Sequence, residues 1–195
     1  DFIQGVDLSI FKNETILLKG ARPFGFERIS TLFQKRVHET ELEINLNAIV
    51  HNLNYFKSKI LPKTKIMAMV KAFSYGSGSY EIANVFQYNL VDYLAVAYVD
   101  EGVELRRSGI TTPIMVMNPE QRAYDLMIQN RLEPEIYSFK VFNLFTKALK
   151  RSGVKNSNGY PVHIKIDTGM HRLGFEEEDL HKLIIKIKND KQIKV

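Results

Sequence analysis

Residues 93–117, YLAVAYVDEGVELRRSGITTPIMVM, contain the pattern that decides the fold class. Residues 93–97 form a short and nearly continuous apolar run, which is typical of a strand buried on both faces of a parallel sheet. Residues 99–108 read as an amphipathic helix that Gly109 stops, and residues 113–117 form a second apolar run. The order strand, helix, strand indicates a parallel sheet covered by helices, as in α/β proteins.

The same alternation extends in both directions along the chain. We predict further strands over residues 65–70, 132–137 and 160–167, and further helices over residues 80–88, 122–130, 139–152 and 177–189. Ahead of them, residues 42–46 alternate at period two like a half-buried strand, and Asn47 is placed to cap a helix that ends at Pro62. Five βα units without a glycine-rich dinucleotide fingerprint favour an incomplete (β/α)8 TIM-type barrel over a doubly wound fold.

Composition excludes several classes of protein. The chain has 195 residues, a net charge of +5 and no cysteine, so it forms no disulfide or thiolate metal site. No apolar run approaches the roughly 18 residues that cross a membrane, and no signal peptide opens the chain, so we expect a cytoplasmic protein without a membrane span. The histidines and acids lack metal-ligand spacing, and the scattered basic residues do not indicate nucleic-acid binding.

The two ends of the chain look cut from something longer, because it begins at Asp1 without a methionine and stops at Val195 after a lysine-rich stretch. Residues 1–35 also differ from the repeats that follow. We predict a strand over residues 15–18, a turn over residues 19–23 and a helix over residues 27–34. A structured N-terminal extension and the end of another domain both remain open for this segment.

Lys71 ends the predicted strand over residues 65–70 and leads into a loop that contains Tyr75, Gly76 and Gly78. An amine at a strand end suits an aldehyde cofactor, since lysine forms a Schiff base with aldehydes. Small residues and the free amides at the start of the next helix suit a phosphate group. Each feature also has a plainer reading, as a solvated lysine and an ordinary strand-to-helix turn.

A second polar stretch follows at the end of the strand over residues 160–167. His163, Lys165 and Asp167 alternate and therefore share one face of this strand, and Arg172 lies just beyond it. Because the carboxyl ends of barrel strands meet at one face, we expect Lys71, Lys165, Asp167 and Arg172 to lie at the same end of the barrel. Taken alone, Arg172 reads as a surface loop arginine.

From about residue 36 onward, the chain resembles the N-terminal part of alanine racemase, a fold type III pyridoxal-phosphate enzyme. The landmarks that carry this resemblance are residues 43–46, 51–52, 70–72, 75–76, 93–97, 100–101, 104–106, 109–110, 113–114, 165–170 and 172–174. The sequence departs from the family at Phe73 and Ser77, where members often have asparagine and histidine.

The resemblance implies interconversion of L-alanine and D-alanine with pyridoxal 5′-phosphate as cofactor, in a homodimeric full-length protein. It implies that Lys71 binds the cofactor and serves as one of two acid–base groups, and that Tyr75 contacts the cofactor phosphate. It also implies that Arg172 faces the phenolic oxygen of the cofactor and helps to hold the substrate carboxylate. The lysine that matches Lys165 is carbamylated in some members. The second base is a tyrosine from a later domain of the partner subunit, so residues 1–195 alone are expected to be a very poor racemase.

Residues 17–22 with Glu27 resemble the C-terminal end of a Mur ligase, an ATP-binding enzyme of peptidoglycan synthesis. Some bacteria fuse the ligase that adds D-alanyl-D-alanine to alanine racemase, and the resemblance implies that this chain spans such a junction. Three alternatives remain: a pyridoxal-phosphate-binding barrel without turnover, an amino-acid decarboxylase of the same fold, and a segment that only tethers ligase and racemase.

Overall fold

The computed structural model describes residues 43–154 and 158–195, together with residues 7, 10–12, 14–17, 29 and 33 near the N-terminus. The chain divides into two compact units, Asp1–Glu43 and Ile44–Val195. In the first unit, residues 15–17 have no regular secondary structure, so the strand predicted there is wrong at those positions, whereas Ile29 and Phe33 are helical. Leu18, the predicted turn and the rest of the predicted helix lie outside the described residues.

The second unit alternates strands and helices. Its elements are α1 (Leu46–Lys57), β1 (Met67–Met69), α2 (Ser79–Tyr88), β2 (Tyr93–Val96), α3 (Val99–Arg107), β3 (Ile114–Val116), α4 (Tyr124–Gln129), β4 (Leu132–Ile136), α5 (Phe139–Ser152), β5 (Tyr160–Pro161), β6 (His163–Ile164), α6 (Leu180–Asn189) and β7 (Ile193–Lys194). Single turns of 3₁₀ helix at Gln121–Ala123 and Glu177–Asp179 precede α4 and α6. None of the helices in the described part of the chain is long and apolar enough to span a membrane.

The strands form a five-stranded parallel sheet in the order β1-β2-β3-β4-β6. Successive strands are neighbours, and a helix connects each strand to the next, as in a barrel wound in one direction. β5 and β7 form a separate parallel pair. This arrangement confirms the predicted α/β class and the incomplete TIM-type barrel.

The start of this unit differs from the prediction. Residues 43–45 are not in a strand, and α1 begins at Leu46. Asn45, rather than Asn47, is the N-cap, because its Oδ1 accepts a hydrogen bond of 3.1 Å from the backbone N–H of Ala48. The same N–H also donates to Asn45 O at 3.1 Å, so both oxygens of Asn45 hold the first turn of α1. This cap stabilises a helix start at Leu46 more than a period-two pattern of only a few residues stabilises a strand.

Two other predicted strands are shorter than expected. β1 spans Met67–Met69 instead of residues 65–70. It is also not fully buried: Met67 and Met69 are 40% and 36% exposed, because β1 lies at the edge of the sheet. The strand predicted over residues 160–167 is divided at Val162, whose N–H donates to Lys194 O at 2.9 Å in continuation of the β5–β7 pair. Beyond this point the chain pairs with β4 instead.

The core lies between the sheet and its helices, and α5 contributes the fully buried rings of Phe142 and Phe145. Phe145 of α5 is fully buried, and its ring meets those of Tyr124 and Tyr160 edge to face at 5.3 and 5.6 Å. The hydroxyl group of Tyr160 donates to Leu132 O at 2.9 Å. Burial raises the pKa of Tyr124 to about 12 and raises the pKa of Tyr160 further, so both phenols are neutral in the core.

We expect Phe145→Ala to lower the free energy of unfolding by about 3–5 kcal/mol, because it removes a buried ring and leaves a cavity between two tyrosines. Urea denaturation followed by circular dichroism measures this change. Phe56→Ala is the matched control, since Phe56 is 65% exposed. Similar losses in the two variants would contradict the assignment of the core.

Candidate active site

Lys71 stands at the carboxyl end of β1. The backbone N–H of Val70 donates to Ala95 O at 2.8 Å, so pairing with β2 continues up to the residue before Lys71. The Lys71 side chain is partly buried, and its Nζ lies 5.9 Å from the centre of the Tyr75 ring. Among the described residues, this Nζ has no hydrogen-bond or ion-pair partner. The amine is therefore available to an incoming group.

The backbone after Lys71 forms a left-handed helical turn over Lys71–Gly76. Residues 72–75 have φ values of 51°, 52°, 52° and 59°, and none of the four is glycine. Such a conformation costs on the order of 1 kcal/mol or more per residue, and strain of this kind concentrates at functional sites. The turn is closed by a hydrogen bond of 3.0 Å from Gly78 N–H to Phe73 O. The loop predicted from the sequence is thus a defined structure, and α2 begins after it at Ser79.

Two hydroxyl groups lie in this turn. Tyr75 is 68% exposed, so its hydroxyl group is accessible to a ligand. Ser74 Oγ is buried and lacks a hydrogen-bond partner in the described structure. A buried hydroxyl group without a partner is costly, and at a functional site it commonly marks the place of an unbound group.

The inner face of the sheet carries two polar pairs between β4 and the segment His163–Lys165: the Lys165–Glu135 ion pair and a His163–Glu133 hydrogen bond. Lys165 Nζ lies 3.1 Å from both carboxylate oxygens of Glu135. His163 Nε2 lies 2.8 Å from Glu133 Oε2, and the His163 ring meets the Tyr93 ring edge to face at 5.4 Å. Burial, followed by the charge of Glu133, raises the pKa of Tyr93. His163 and Lys165 thus lie on the same face of the sheet, as predicted, and each contacts an acid of β4.

Sequence reasoning missed the acids that complete these pairs. Glu133 and Glu135 are both buried and alternate along β4, just as His163 and Lys165 alternate on the neighbouring strand. Polar residues that alternate at period two on two neighbouring strands were therefore the available sequence signal for these facing pairs. Asp167 belongs to neither pair and instead accepts hydrogen bonds from the backbone of its own loop.

The loop over residues 167–175 is built around Asp167. Its Oδ1 accepts hydrogen bonds from the backbone N–H groups of Gly169, at 2.9 Å, and His171, at 3.1 Å. The N–H of Asp167 donates to Phe175 O at 2.9 Å, which closes the loop. The N–H of Gly169, and then that of His171, lowers the pKa of Asp167 below its ordinary value. Asp167 therefore fixes the loop that carries Arg172.

Arg172 is exposed and, within the described part of the chain, makes no hydrogen bond or ion pair. Lys71 and Arg172 both follow the carboxyl ends of strands, but these strands are the first and the last of the sheet order. Because parallel strands end at the same edge of a sheet, the two residues lie at one end of it. Lys165 contacts Glu135 and not Lys71. No group of three or more metal-ligating side chains is found among the residues that the structure describes.

We expect Asp167→Asn to destabilise the protein at neutral pH and to matter less in acid. The folded-state pKa of Asp167 is lowered, so its contribution is present above the unfolded pKa of about 3.9 and is lost as the pH falls through the folded value. Thermal unfolding of both proteins from pH 6 to pH 2 checks this. The difference in Tm should shrink below about pH 4, whereas exposed Glu178→Gln should show a small difference at neutral pH. A difference for Asp167→Asn that is constant across this range would contradict the role of the carboxylate.

Comparison with known proteins agrees with this geometry. The sequence profile of the family described as "Alanine racemase, N-terminal domain" matches residues 44–195. The chain belongs to this family. The matched residues coincide with the second compact unit, so the family domain contains the whole five-stranded sheet, Lys71 and Arg172.

Relatives of this alanine racemase N-terminal domain are found in bacteria and archaea. The chain is 41% identical over 147 residues to an amino-acid racemase of Enterococcus faecalis, which covers 73% of this chain and 19% of that protein. It is 39% identical over 160 residues to the alanine racemase of Methanococcus maripaludis, covering 81% of this chain and 42% of the relative. The solved structure of alanine racemase from Clostridium difficile 630 superposes with a TM-score of 0.70 at 34% identity, over 78% of this chain and 41% of that one. The chain thus spans less than half of the length of each of these proteins.

Proposed function

We propose that this chain forms the cofactor-binding barrel of a racemase that interconverts L-alanine and D-alanine with pyridoxal 5′-phosphate. The observation that supports this function best is the Lys71 amine, which makes no hydrogen bond or ion pair to any described residue and begins a strained turn at the carboxyl end of a barrel strand. Membership of the racemase family supports the substrate, since most of the relatives are alanine racemases.

The donor groups on the chain fit pyridoxal 5′-phosphate. Lys71 offers an amine to the aldehyde, and the exposed Tyr75 and the buried Ser74 offer hydroxyl groups to the phosphate. Arg172 offers a guanidinium to the phenolic oxygen and to a substrate carboxylate. The start of α2 is less suitable for the phosphate, because the carboxylate of Glu81 lies beside Gly78 and would repel an anion. Glu81 Oε2 is 2.7 Å from the position that a Cβ atom on residue 78 would take.

The residues of this chain have distinct roles in the proposed reaction. When bound, the cofactor supplies an electron sink that makes the α-hydrogen of the amino acid acidic. Lys71 would take or return a proton at the α-carbon on its own face. Arg172 orients the substrate by its carboxylate. Racemisation also requires an acid on the opposite face, and we propose that a tyrosine of the partner subunit in a homodimer supplies it.

The family resemblance leaves carbamylation of Lys165 open, and the pair with Glu135 argues against it. Reaction of the Lys165 amine with carbon dioxide would break the hydrogen bonds of 3.1 Å that Nζ makes with both carboxylate oxygens of Glu135. A carbamate would also place two anions side by side in a partly buried site. We propose that Lys165 remains unmodified and that Glu135 is its permanent counter-charge.

We also propose that residues 1–35 are the end of a Mur ligase in a cytoplasmic fusion protein that supplies D-alanine to peptidoglycan. The support is the short likeness over residues 17–22 and the separate compact unit, whose boundary lies between Glu43 and Ile44. The reading frame upstream of Asp1 tests this proposal, because a ligase domain must be encoded there.

Exchange of the α-hydrogen of alanine tests the proposed function. In D₂O with added pyridoxal 5′-phosphate, we expect residues 1–195 to exchange the α-hydrogen of one alanine enantiomer faster than that of the other, since Lys71 lies on one face only. Proton NMR measures both rates against the cofactor alone. Exchange no faster than this background would contradict racemase chemistry and favour a barrel that only binds the cofactor.

A further inference from the structure

Glu101 joins two separate segments of the backbone at the carboxyl end of the sheet. It lies in the first turn of α3, and its Oε2 accepts hydrogen bonds from the N–H groups of Ala97, at 2.7 Å, and Tyr98, at 3.1 Å. Its Oε1 accepts a third hydrogen bond, of 2.6 Å, from the N–H of Ala72. Ala72 is the first of the four residues with positive φ that follow Lys71.

Two of these bonds have an ordinary explanation and the third does not. An acid at the third position of a helix commonly accepts from the backbone just ahead of it, which accounts for Ala97 and Tyr98. Ala72 belongs to another loop, 29 residues earlier in the chain. Its amide is on an exposed residue, so water would satisfy it if Glu101 did not. Hydrogen bonds to a carboxylate are among the stronger ones in proteins.

The position of this bond links Glu101 to the reactive lysine. The N–H of Ala72 is part of the peptide group whose carbonyl belongs to Lys71, and this group is planar. Fixing the N–H therefore fixes the ψ angle of Lys71 and the direction in which the left-handed turn leaves the strand. Among the residues described here, the Lys71 amine makes no hydrogen bond or ion pair, and the ring that it faces, Tyr75, belongs to the same turn.

We propose that Glu101 is a positioning residue, which sets the orientation of the Lys71 amine through the peptide group between Lys71 and Ala72. This inference rests on the proposed function, because it assumes that Lys71 reacts with the cofactor aldehyde. Glu101 touches neither substrate nor cofactor. It acts only through the backbone of the turn.

Three variants separate this role from helix capping and from charge. Glu101→Gln removes the charge and the anionic acceptor. Glu101→Asp keeps the charge at the start of α3, near Ala97 and Tyr98, but shortens the side chain by one bond of about 1.5 Å and withdraws it from Ala72. Asp100→Asn is the matched control, since Asp100 is an exposed acid in the same turn.

Amide hydrogen exchange of residues 1–195 without cofactor tests the bond itself. We expect exchange at Ala72 to be about tenfold to a hundredfold faster in Glu101→Gln and Glu101→Asp, and within about twofold of wild type in Asp100→Asn. Exchange at Val96 and Leu132, which lie in the buried sheet, monitors the global fold. Unchanged exchange at Ala72 in both Glu101 variants would overturn the proposal.

Labelling of Lys71 by pyridoxal 5′-phosphate, trapped with borohydride and quantified by mass spectrometry, tests the consequence. We expect the labelling rate of Lys71 to fall about tenfold in both Glu101 variants, while exposed Lys59 is labelled as in wild type. Faster Ala72 exchange with an unchanged Lys71 rate would overturn the positioning role and leave Glu101 as a helix cap. If wild-type Lys71 is not labelled at all, the proposed function fails and the positioning role falls with it, although the exchange data still report on the bond.

Discussion

Lys71→Ala is expected to abolish covalent capture of pyridoxal 5′-phosphate and to reduce the exchange of the α-hydrogen of alanine by at least about a thousandfold, to the rate of the free cofactor. The amine is both the attachment point and the proposed base, so a single substitution removes two functions. Because Lys71 Nζ makes no hydrogen bond or ion pair in the described structure and lies 5.9 Å from the centre of the exposed Tyr75 ring, the same variant should unfold at nearly the wild-type urea concentration.

Two matched variants make this result specific. Lys71→Arg keeps a cation at the same position but has no amine that forms a Schiff base, so it should be as inactive as Lys71→Ala. Lys65→Ala removes an exposed lysine at the other end of the same strand region and should leave both capture and exchange unchanged. Substantial activity in Lys71→Arg would show that charge alone suffices and would contradict the role of the amine.

Lys165→Met is expected to cause the second large effect, a loss of about 2–4 kcal/mol in the free energy of unfolding. The substitution leaves the carboxylate of Glu135, whose side chain is 11% exposed, without a counter-charge inside the sheet. The Lys165 side chain is 23% exposed, which keeps the loss below that of a fully buried pair. Urea denaturation measures the effect.

The double variant Lys165→Met/Glu135→Leu distinguishes the unpaired charge from a loss of packing. Replacing both partners with apolar side chains removes the buried charge altogether, so most of the stability should return. If the double variant is less stable than Lys165→Met, the two residues do not form the coupled pair seen between β4 and β6.

Much of the fold was predictable from local patterns in the sequence. The bounds of α5 match the prediction because its apolar periodicity is flanked by two clear signals, the Ser138 cap, which accepts from Val141 N–H, and Gly153 with φ of 66°. The burial of β1 was not predictable in the same way. An apolar run does not reveal whether a strand has one neighbour or two.

The reactive residue of the candidate site was predictable from the sequence, whereas the turn and the acids that hold the site in place were not. Lys71 follows directly from its place after an apolar strand. The left-handed turn does not, because alanine, phenylalanine, serine and tyrosine have no local preference for positive φ. Glu101 and Glu135 were also missed as partners, since each acts across strands or loops that only the folded chain brings together.

Reduction of residues 1–195 with borohydride in the presence of pyridoxal 5′-phosphate, followed by peptide mass spectrometry, tests whether Lys71 is the residue that binds the cofactor. We expect one dominant site of modification, on the lysine that follows Val70. This modification should be lost when pyridoxal, which lacks the phosphate, replaces the cofactor at the same concentration. Modification spread evenly over the exposed lysines, with no preference for this residue, would contradict the assignment of the site.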